Sequence, residues 1–220
     1  MNIVGFMPIR TNSKRVPGKS IRMLAGRPLF CWLAETMDRL GFPIHVYCSD
    51  PGALEPLLDF KPNHIVFTKR PEILDGDGVR GIEIYREFAR AVPASVYLLT
   101  HCTSPFTSVE TFRAVTEPVL SGRKRCAVVV RRVQTFSWFE GSPLNFSIPR
   151  VQTQLLKPIF VETSAAYCYR ADVLEQGDRS DLNPELVEVT YPEDDDIDTE
   201  SDFLRGEVTA SLVRQRRAQG

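Results

Sequence analysis

Arg10, Lys14, Arg15, Lys19 and Arg22 place five cations within thirteen residues. Pro17-Gly18 prescribes a turn in their midst, and Ser13 and Ser20 add hydroxyl donors. Guanidinium and ammonium groups gathered on such a turn suit a polyphosphate, because each can make a charge-assisted hydrogen bond to a phosphate oxygen. A cluster of opposite sign lies near the other end of the chain, Glu193-Asp194-Asp195-Asp196-Ile197-Asp198-Thr199-Glu200. Asp196 and Asp198 alternate, so in an extended segment both can reach one hard dication such as Mg²⁺. Each cluster also has a plainer reading. The first could be a solvated basic loop, and the second an acidic helix start that complements the macrodipole, with Thr199 and Asp202 as its cap. Their occurrence in one small chain favours the chemical reading, since a triphosphate and a carboxylate pair attract the same ion.

The elements that must position these groups follow from the apolar pattern. Asn2-Ile-Val-Gly-Phe-Met7 is a run suited to a strand buried in a parallel sheet, and the loop leaving its carboxyl end is where open α/β sheets bind ligands. Pro28 suits a helix start, and Leu29, Leu33, Met37 and Leu40 recur at helical spacing until Gly41 and Pro43 end the run. Strands are expected at 44–49 and 64–68 with a short helix at 54–58 between them. Further strands are expected at 95–100, 126–130 and 161–169. Helices are marked by Val79, Ile82, Tyr85, Phe88 and Val92, and by Val109, Phe112, Val115 and Val119, the latter with Thr107 and Glu110 spaced as a capping box. A terminal helix carries Leu204, Val208 and Leu212 on one face. The expected fold class is therefore α/β, a single-domain, Rossmann-like, mostly parallel sheet with helices on both faces, spanning 1–220. Between 133 and 160 the alternation lapses. Phe136, Trp138, Phe139, Phe146 and Leu155 lie among Gly141, Pro143, Pro149 and Pro158, as in an extended arm that either covers the core as a lid or joins two copies.

Composition sets bounds. With 220 residues, 43% hydrophobic content and a net charge of −1, the chain suits one buried domain and a small anionic ligand, and no nucleic acid partner is expected. No leader-like or membrane-length apolar run is visible, so a cytoplasmic protein with no membrane partner is expected. The five cysteines are odd in number and widely spaced among apolar residues, which suits reduced core thiols. His45 with Cys48, and His101 with Cys102, lack the further partners that a metal or nucleophile site requires. Gly18-Lys19-Ser20 matches the tail of a Walker A loop, but Ser13 stands where its first glycine belongs, and Gly26 and Pro28 interrupt the helix that should follow. Gly76-x-Gly78-x-x-Gly81 has dinucleotide-fingerprint spacing but sits too far beyond its strand, with no acidic residue placed for a ribose.

The basic stretch Pro8-Ile9-Arg10-Thr11-Asn12-Ser13-Lys14-Arg15-Val16-Pro17-Gly18-Lys19-Ser20 resembles the signature loop of the cytidylyltransferases that activate 3-deoxy-2-keto sugar acids, chiefly the acylneuraminate (CMP-sialic acid) synthetases. Ile9 stands for their alanine and Ser20 for their asparagine. The strand–Thr103-Ser104-Pro105–helix join is similar to their second motif, with His101 for glutamine and Thr107 for arginine. Thr163-Ser164-Ala-Ala-Tyr167 is similar to their N-G-A-I-Y segment, and Asp196-Ile-Asp198-Thr-Glu200 matches their D-I-D-T-E metal motif without change. Arg-Val-Pro-Gly-Lys19 also resembles the Kdo-activating branch, so the substrate stays open among sialic, legionaminic, pseudaminic and Kdo-like acids.

The resemblance implies a nucleotide-diphospho-sugar transferase type of fold and transfer of a cytidylyl group from CTP to the anomeric hydroxyl of a sugar acid, with pyrophosphate leaving. Arg10 and Lys19 would be catalytic. Met7, Pro8, Ile9, Arg10, Asn12, Ser13, Lys14, Lys19, Arg70 and Asp77 would hold the nucleotide, with backbone at 7–9 reading the base. Ser20, His101, Thr103, Ser104, Thr163 and Ser164 would hold the sugar acid, Asp196 and Asp198 would ligate Mg²⁺, and the arm at 133–160 would form a homodimer. The departures at positions 20, 101, 107, 163 and 164 leave a second reading, a non-catalytic nucleotide-binding or regulatory relative.

Overall fold

In the computed structural model, residues 1–10 and 16–219 are described, the last four without their side chains. Strand β1 (Ile3–Pro8) is buried through its four central residues. It carries apolar groups on both faces, as a strand covered on both sides must. Beside it run β2 (Ile44–Cys48) and β3 (Ile65–Lys69) on one flank and β4 (Val96–Leu99) on the other. With β5 (Cys126–Val133), β6 (Ile159–Arg170) and β7 (Glu185–Val189) they form one seven-stranded sheet of order β7-β5-β6-β4-β1-β2-β3. β6 runs antiparallel to both its neighbours, and the remaining pairs are parallel. The order turns back at β1 and β4, so a crevice opens beyond the carboxyl ends of these two strands.

Helices cover both faces. Helix α1 (Leu29–Asp38) and α3 (Val109–Leu120) bury Phe30, Leu33, Met37, Phe112, Val115 and Val119 against one side. Helix α2 (Gly81–Ala91) and the short α4 (Ala171–Glu175) bury Ile84, Tyr85, Phe88, Val173 and Leu174 against the other. The first unit is thus the expected strand, loop and helix. The short helix after β2 begins earlier than expected, at Pro51–Leu54, because the Asp50 side chain caps it by accepting from Ala53 N at 3.1 Å. The expected capping box at Thr107 and Glu110 is not formed. Ser108 is the N-cap of α3, and Glu193 from the acidic run accepts from Ser108 N, Ser108 Oγ and Thr111 Oγ1. All five cysteines are free and buried, and His45 spends its Nδ1 on the Thr68 hydroxyl.

The terminal helix α5 (Glu200–Gln219) packs with a face other than the expected one. Leu204, Val208 and Leu212 are exposed, whereas Phe203 and Ala210 are buried with Leu24, Leu29, Trp32 and Ile197. Close approach rather than side-chain bulk selects this face. A methyl group added at Gly206 would lie 2.9 Å from Ile197 Cδ1. That packing fixes the acidic turn against the segment that follows the basic loop.

From β5 and β6 the chain continues outward as the arm, with a two-stranded ribbon of Trp138–Phe139 and Ser142–Pro143. Phe146 packs edge-on to Phe136 and to Trp138, and Arg150 lies over the rings of Phe136 and Phe146. Among the described residues no helix is long and apolar enough to cross a membrane.

Candidate active site

The crevice beyond β1 and β4 is a cleft of about 590 Å³, within the usual size for a small-molecule site. Pro8 and Arg10 enter it from the end of β1. Lys19 and Ser20 come from the turn, His101, Cys102 and Thr103 from the end of β4, and Ser164 from β6. Asp77 comes from the loop before α2, and Asp196 and Asp198 from the acidic turn.

Gly18 takes φ 63°, the left-handed conformation that Pro17-Gly18 leads one to expect, and it caps a single 3₁₀ turn at Lys19–Ile21. That turn aims Lys19 inward. Its Nζ donates to the Ile197 carbonyl and to Asp198 Oδ1, each at 2.9 Å. Two of the three ammonium protons have partners, which leaves one for a phosphate oxygen. Arg10 donates from Nη2 to the Val79 carbonyl at 3.1 Å, joining the loop after β1 to the loop before α2. Ser20 donates to the Arg10 carbonyl at 3.2 Å. Asn12, Ser13 and Lys14, which the resemblance places among the nucleotide contacts, lie outside the described residues.

The acidic run divides its work. Glu193 caps α3, and Asp195 faces Arg205 at 3.7 Å. The start of α5 is capped by Thr199 and Asp202 in reciprocal bonds, Thr199 N to Asp202 Oδ2 at 2.8 Å and Asp202 N to Thr199 Oγ1 at 3.2 Å. Capping therefore needs neither Asp196 nor Asp198. Asp196 Oδ2 accepts from Ser164 Oγ at 2.9 Å, and its Oδ1 is buried with no hydrogen-bond partner among the described residues. A buried, unpartnered carboxylate oxygen beside a second carboxylate, at the edge of a cleft, has the chemistry of a hard-cation ligand. Among the described residues no three metal-ligating side chains gather at one point. Two carboxylates with the remaining coordination left to substrate phosphates and water is a common Mg²⁺ arrangement.

His101, just beyond the end of β4, lies between Tyr85 of α2 and Ser164 of β6. Its Nδ1 lies 3.3 Å from the Ser164 carbonyl, which can only accept, so Nδ1 carries the proton and Nε2 accepts from the Tyr85 hydroxyl at 3.1 Å. Burial lowers the His101 pKa, and the ring is neutral. Thr103 binds the acidic turn through its backbone, accepting from Ile197 N at 2.8 Å.

Several of the expected site residues point elsewhere. Arg70 is fully buried and does not line the cleft. It donates to the Tyr47 and Ile9 carbonyls at 3.1 and 2.9 Å and pairs with Asp75, so its charge ties β1 to β2 instead of facing a phosphate. Ile9 is core, its N–H donates to the Tyr47 carbonyl and its own carbonyl accepts from Arg70 Nη2. Met7 likewise lies in the core, and of residues 7–9 only Pro8 faces the cleft. Ser104 is buried outside the cleft, with a hydroxyl that has no partner among the described residues. Thr163 is buried with its hydroxyl on the Val129 carbonyl at 3.2 Å. The pairing of β6 with β5 is irregular between Glu162 and Tyr167, and such bulges re-aim side chains. Here Ser164 alone of the pair is turned to the cleft. Conversely, Tyr85, Tyr167 and Arg179 line it without having been expected there. Tyr85 read only as part of a buried helical stripe, and Arg179 is a lone cation in a loop.

A family model described as cytidylyltransferase matches residues 4–172. No curated protein sequence matches the chain. Among solved structures, a CMP:2-keto-3-deoxy-manno-octonic acid synthetase complexed with CTP is similar at TM-score 0.68 and 17% identity, over 98% of this chain and 100% of that one. A 4-diphosphocytidyl-2C-methyl-D-erythritol synthase from Anaerococcus prevotii is similar at TM-score 0.69 and 11% identity, over 96% of each chain. A 2-C-methyl-D-erythritol 4-phosphate cytidylyltransferase from Thermus thermophilus is similar at TM-score 0.58 and 16% identity, over 97% of this chain and 100% of that one.

Proposed function

The chain belongs to the cytidylyltransferase family, and from that membership we propose that it transfers the cytidylyl group of CTP to the anomeric hydroxyl of a 2-keto-3-deoxy sugar acid, releasing pyrophosphate. The observation that carries this reading is the meeting of the two clusters in one cleft, Lys19 against Asp198 with the buried, unpartnered Asp196 oxygen beside them. A protein that only held a nucleotide would have no need for a carboxylate pair of which one oxygen is buried without a partner among the described residues.

In this reading the acceptor hydroxyl attacks the α-phosphorus in line with the departing pyrophosphate, and the protein acts by positioning and charge neutralisation. Arg10, fixed by the Val79 carbonyl, and Lys19, through its third N–H, neutralise phosphate oxygens on the loop side. Asp196 and Asp198 are the residues that would hold Mg²⁺, which when bound neutralises phosphate charge and lowers the cost of deprotonating the acceptor hydroxyl. Ser164 positions Asp196 by donating to Oδ2, which leaves Oδ1 for the ion. Neutral His101, with both ring nitrogens engaged by Tyr85 and Ser164, fixes these two residues in the cleft wall without adding a further cation. Ser20 and Thr103 complete the walls. Thr163 and Ser104 are not part of this site, so the specificity of the sugar pocket rests on His101, Ser164 and their neighbours. The sugar-acid acceptor is also supported by the unchanged Asp196-Ile-Asp198-Thr-Glu200 segment.

The arm at 133–160 is read as a homodimer contact. Trp138, Phe139, Ile148 and Leu155 are 55, 62, 84 and 71% exposed, more large apolar surface in one segment than a solvated arm retains. The function is tested by pyrophosphate release with CTP, Mg²⁺ and a panel of nonulosonic and octulosonic acids, with a polyol phosphate as the contrasting acceptor. Release that depends on one of the sugar acids is expected. Release with the polyol phosphate alone, or with no acceptor on the panel, would contradict it.

A further inference from the structure

The phosphate-side chemistry uses Arg10, Lys19, Asp196 and Asp198, and leaves one cation of the cleft without a task. Arg179 reaches the cleft from the segment between α4 and β7. Its guanidinium lies 4.1 Å over the Tyr167 ring, and Nη2 donates to the Tyr167 hydroxyl at 3.2 Å. Its other ionic neighbour is Glu162 at 3.6 Å, an exposed carboxylate at a separation that holds a surface pair only weakly. The side chain is 34% exposed, open enough to take a ligand and anchored enough to keep one orientation.

Its place in the cleft is defined by the groups around it. Tyr85 feels both Arg179 and Arg10, and His101 feels Arg179, Lys19 and Asp196. The contacts run from Arg179 to Tyr167, whose ring lies 6.4 Å edge-on from that of His101, and on to Tyr85. On the Arg179 side the wall is made of neutral hydrogen-bonding groups, Tyr85, His101 and Tyr167, with a single positive charge. A ligand matched to that half carries hydroxyls and one anion. A 2-keto-3-deoxy sugar acid has this composition, with its carboxylate one bond from the anomeric carbon whose hydroxyl attacks. A guanidinium fork held over an aromatic ring suits the bidentate geometry of a carboxylate.

We propose that Arg179 is the specificity-determining residue for the acceptor, planted on Tyr167 to receive the carboxylate of the sugar acid. The proposal rests on the sugar-acid reading given above.

Arg179→Gln and Arg179→Lys are compared with the wild type, using the best acid of the panel and the same sugar with its carboxylate converted to a carboxamide. In the wild type the acid is preferred by at least about tenfold in kcat/KM, as a charge-assisted hydrogen-bonded pair provides. Arg179→Gln should raise the KM for the acid by a similar factor, leave the KM for CTP in place, and abolish the preference for acid over amide. Arg179→Lys should retain part of it. If Arg179 only pins its loop through Tyr167, both acceptors weaken equally and the preference survives, which overturns the proposal. Absence of pyrophosphate release by the wild type with any acid removes the functional reading and this inference with it. An active wild type whose Arg179→Gln form still prefers the acid removes this inference alone.

Discussion

The Lys19 ammonium lies 2.9 Å from Asp198 Oδ1, joining a loop and a turn that are 179 residues apart in the chain. The pair is only partly screened, with side chains 12 and 38% exposed, and the Ile197 carbonyl holds the same ammonium. The cation that should meet the phosphates and a carboxylate that should meet the metal are thus mutually oriented before any ligand arrives, which is preorganisation of the kind that speeds phosphoryl transfer.

Lys19→Ala should therefore remove nearly all transfer, by about 10²-fold or more, because an ammonium facing developing phosphate charge contributes several kcal/mol. The fold should persist, since a partly exposed pair adds about 1 kcal/mol or less to stability. Steady-state rates and a thermal melt of the same preparation check both halves. A folded variant with near wild-type turnover contradicts the role of the loop.

Arg70 should behave in the opposite way. Arg70→Ala leaves the Tyr47 and Ile9 carbonyls and the partly exposed Asp75 without their buried donor, and breaking such a network costs up to about 3–5 kcal/mol. Urea unfolding should show this loss, while the KM for CTP of the folded fraction changes little. A stable variant with weakened CTP binding would restore the phosphate-contact reading.

His101 gives a pH dependence with a definite sign. Burial holds its folded pKa below the unfolded value of about 6.5. At pH below 6.5 the unfolded chain thus binds the proton more readily than the fold does. The histidine contributes a loss of stability as pH falls through 6.5 toward its folded pKa, and none above. His101→Gln can still donate to the Ser164 carbonyl and should flatten that part of the acid-side slope. Denaturation midpoints of both proteins at pH 5 and pH 7.5 check this, and an unchanged slope would show that the ring takes up its proton in the fold as readily as in the unfolded chain.

Glutamates at Trp138 and Phe139 should separate a dimer into monomers without unfolding the core, since both side chains stand clear of the sheet and are more than half exposed. Sedimentation of the wild type as a monomer at micromolar concentration would contradict the arm's role.

Much of this was legible in the sequence where type and spacing act together. The apolar run into Arg10, the Pro17-Gly18 turn and the 196/198 alternation all locate side chains that line one cleft. Reading failed where one residue's shift reverses a side chain. Thr163 and Ser164 were read alike, but neighbours on a strand face opposite sides, and the irregularity in β6 decides which faces the cleft. It failed also at α5, because a face that packs through Gly206 and Ala210 leaves its leucines outside, and hydrophobic spacing follows bulk. Arg70 shows a third cause. An arginine after a strand carries the same letter whether its charge meets a ligand or the protein's own carbonyls.

The central claim is that the acidic turn and the basic loop form one catalytic site for cytidylyl transfer. The most direct measurement follows the α-phosphate label of CTP into the sugar-acid product across a titration of Mg²⁺, for the wild type and for Asp196→Asn, Asp198→Asn and the control Asp194→Asn. If Asp196 and Asp198 hold the ion, their amides remove half the charge binding a hard cation. The label should then transfer in the wild type and Asp194→Asn alone, with excess Mg²⁺ restoring only part of the loss and melting temperatures barely moved. Equal transfer by all three variants, or no label reaching the acid in the wild type, would contradict the account.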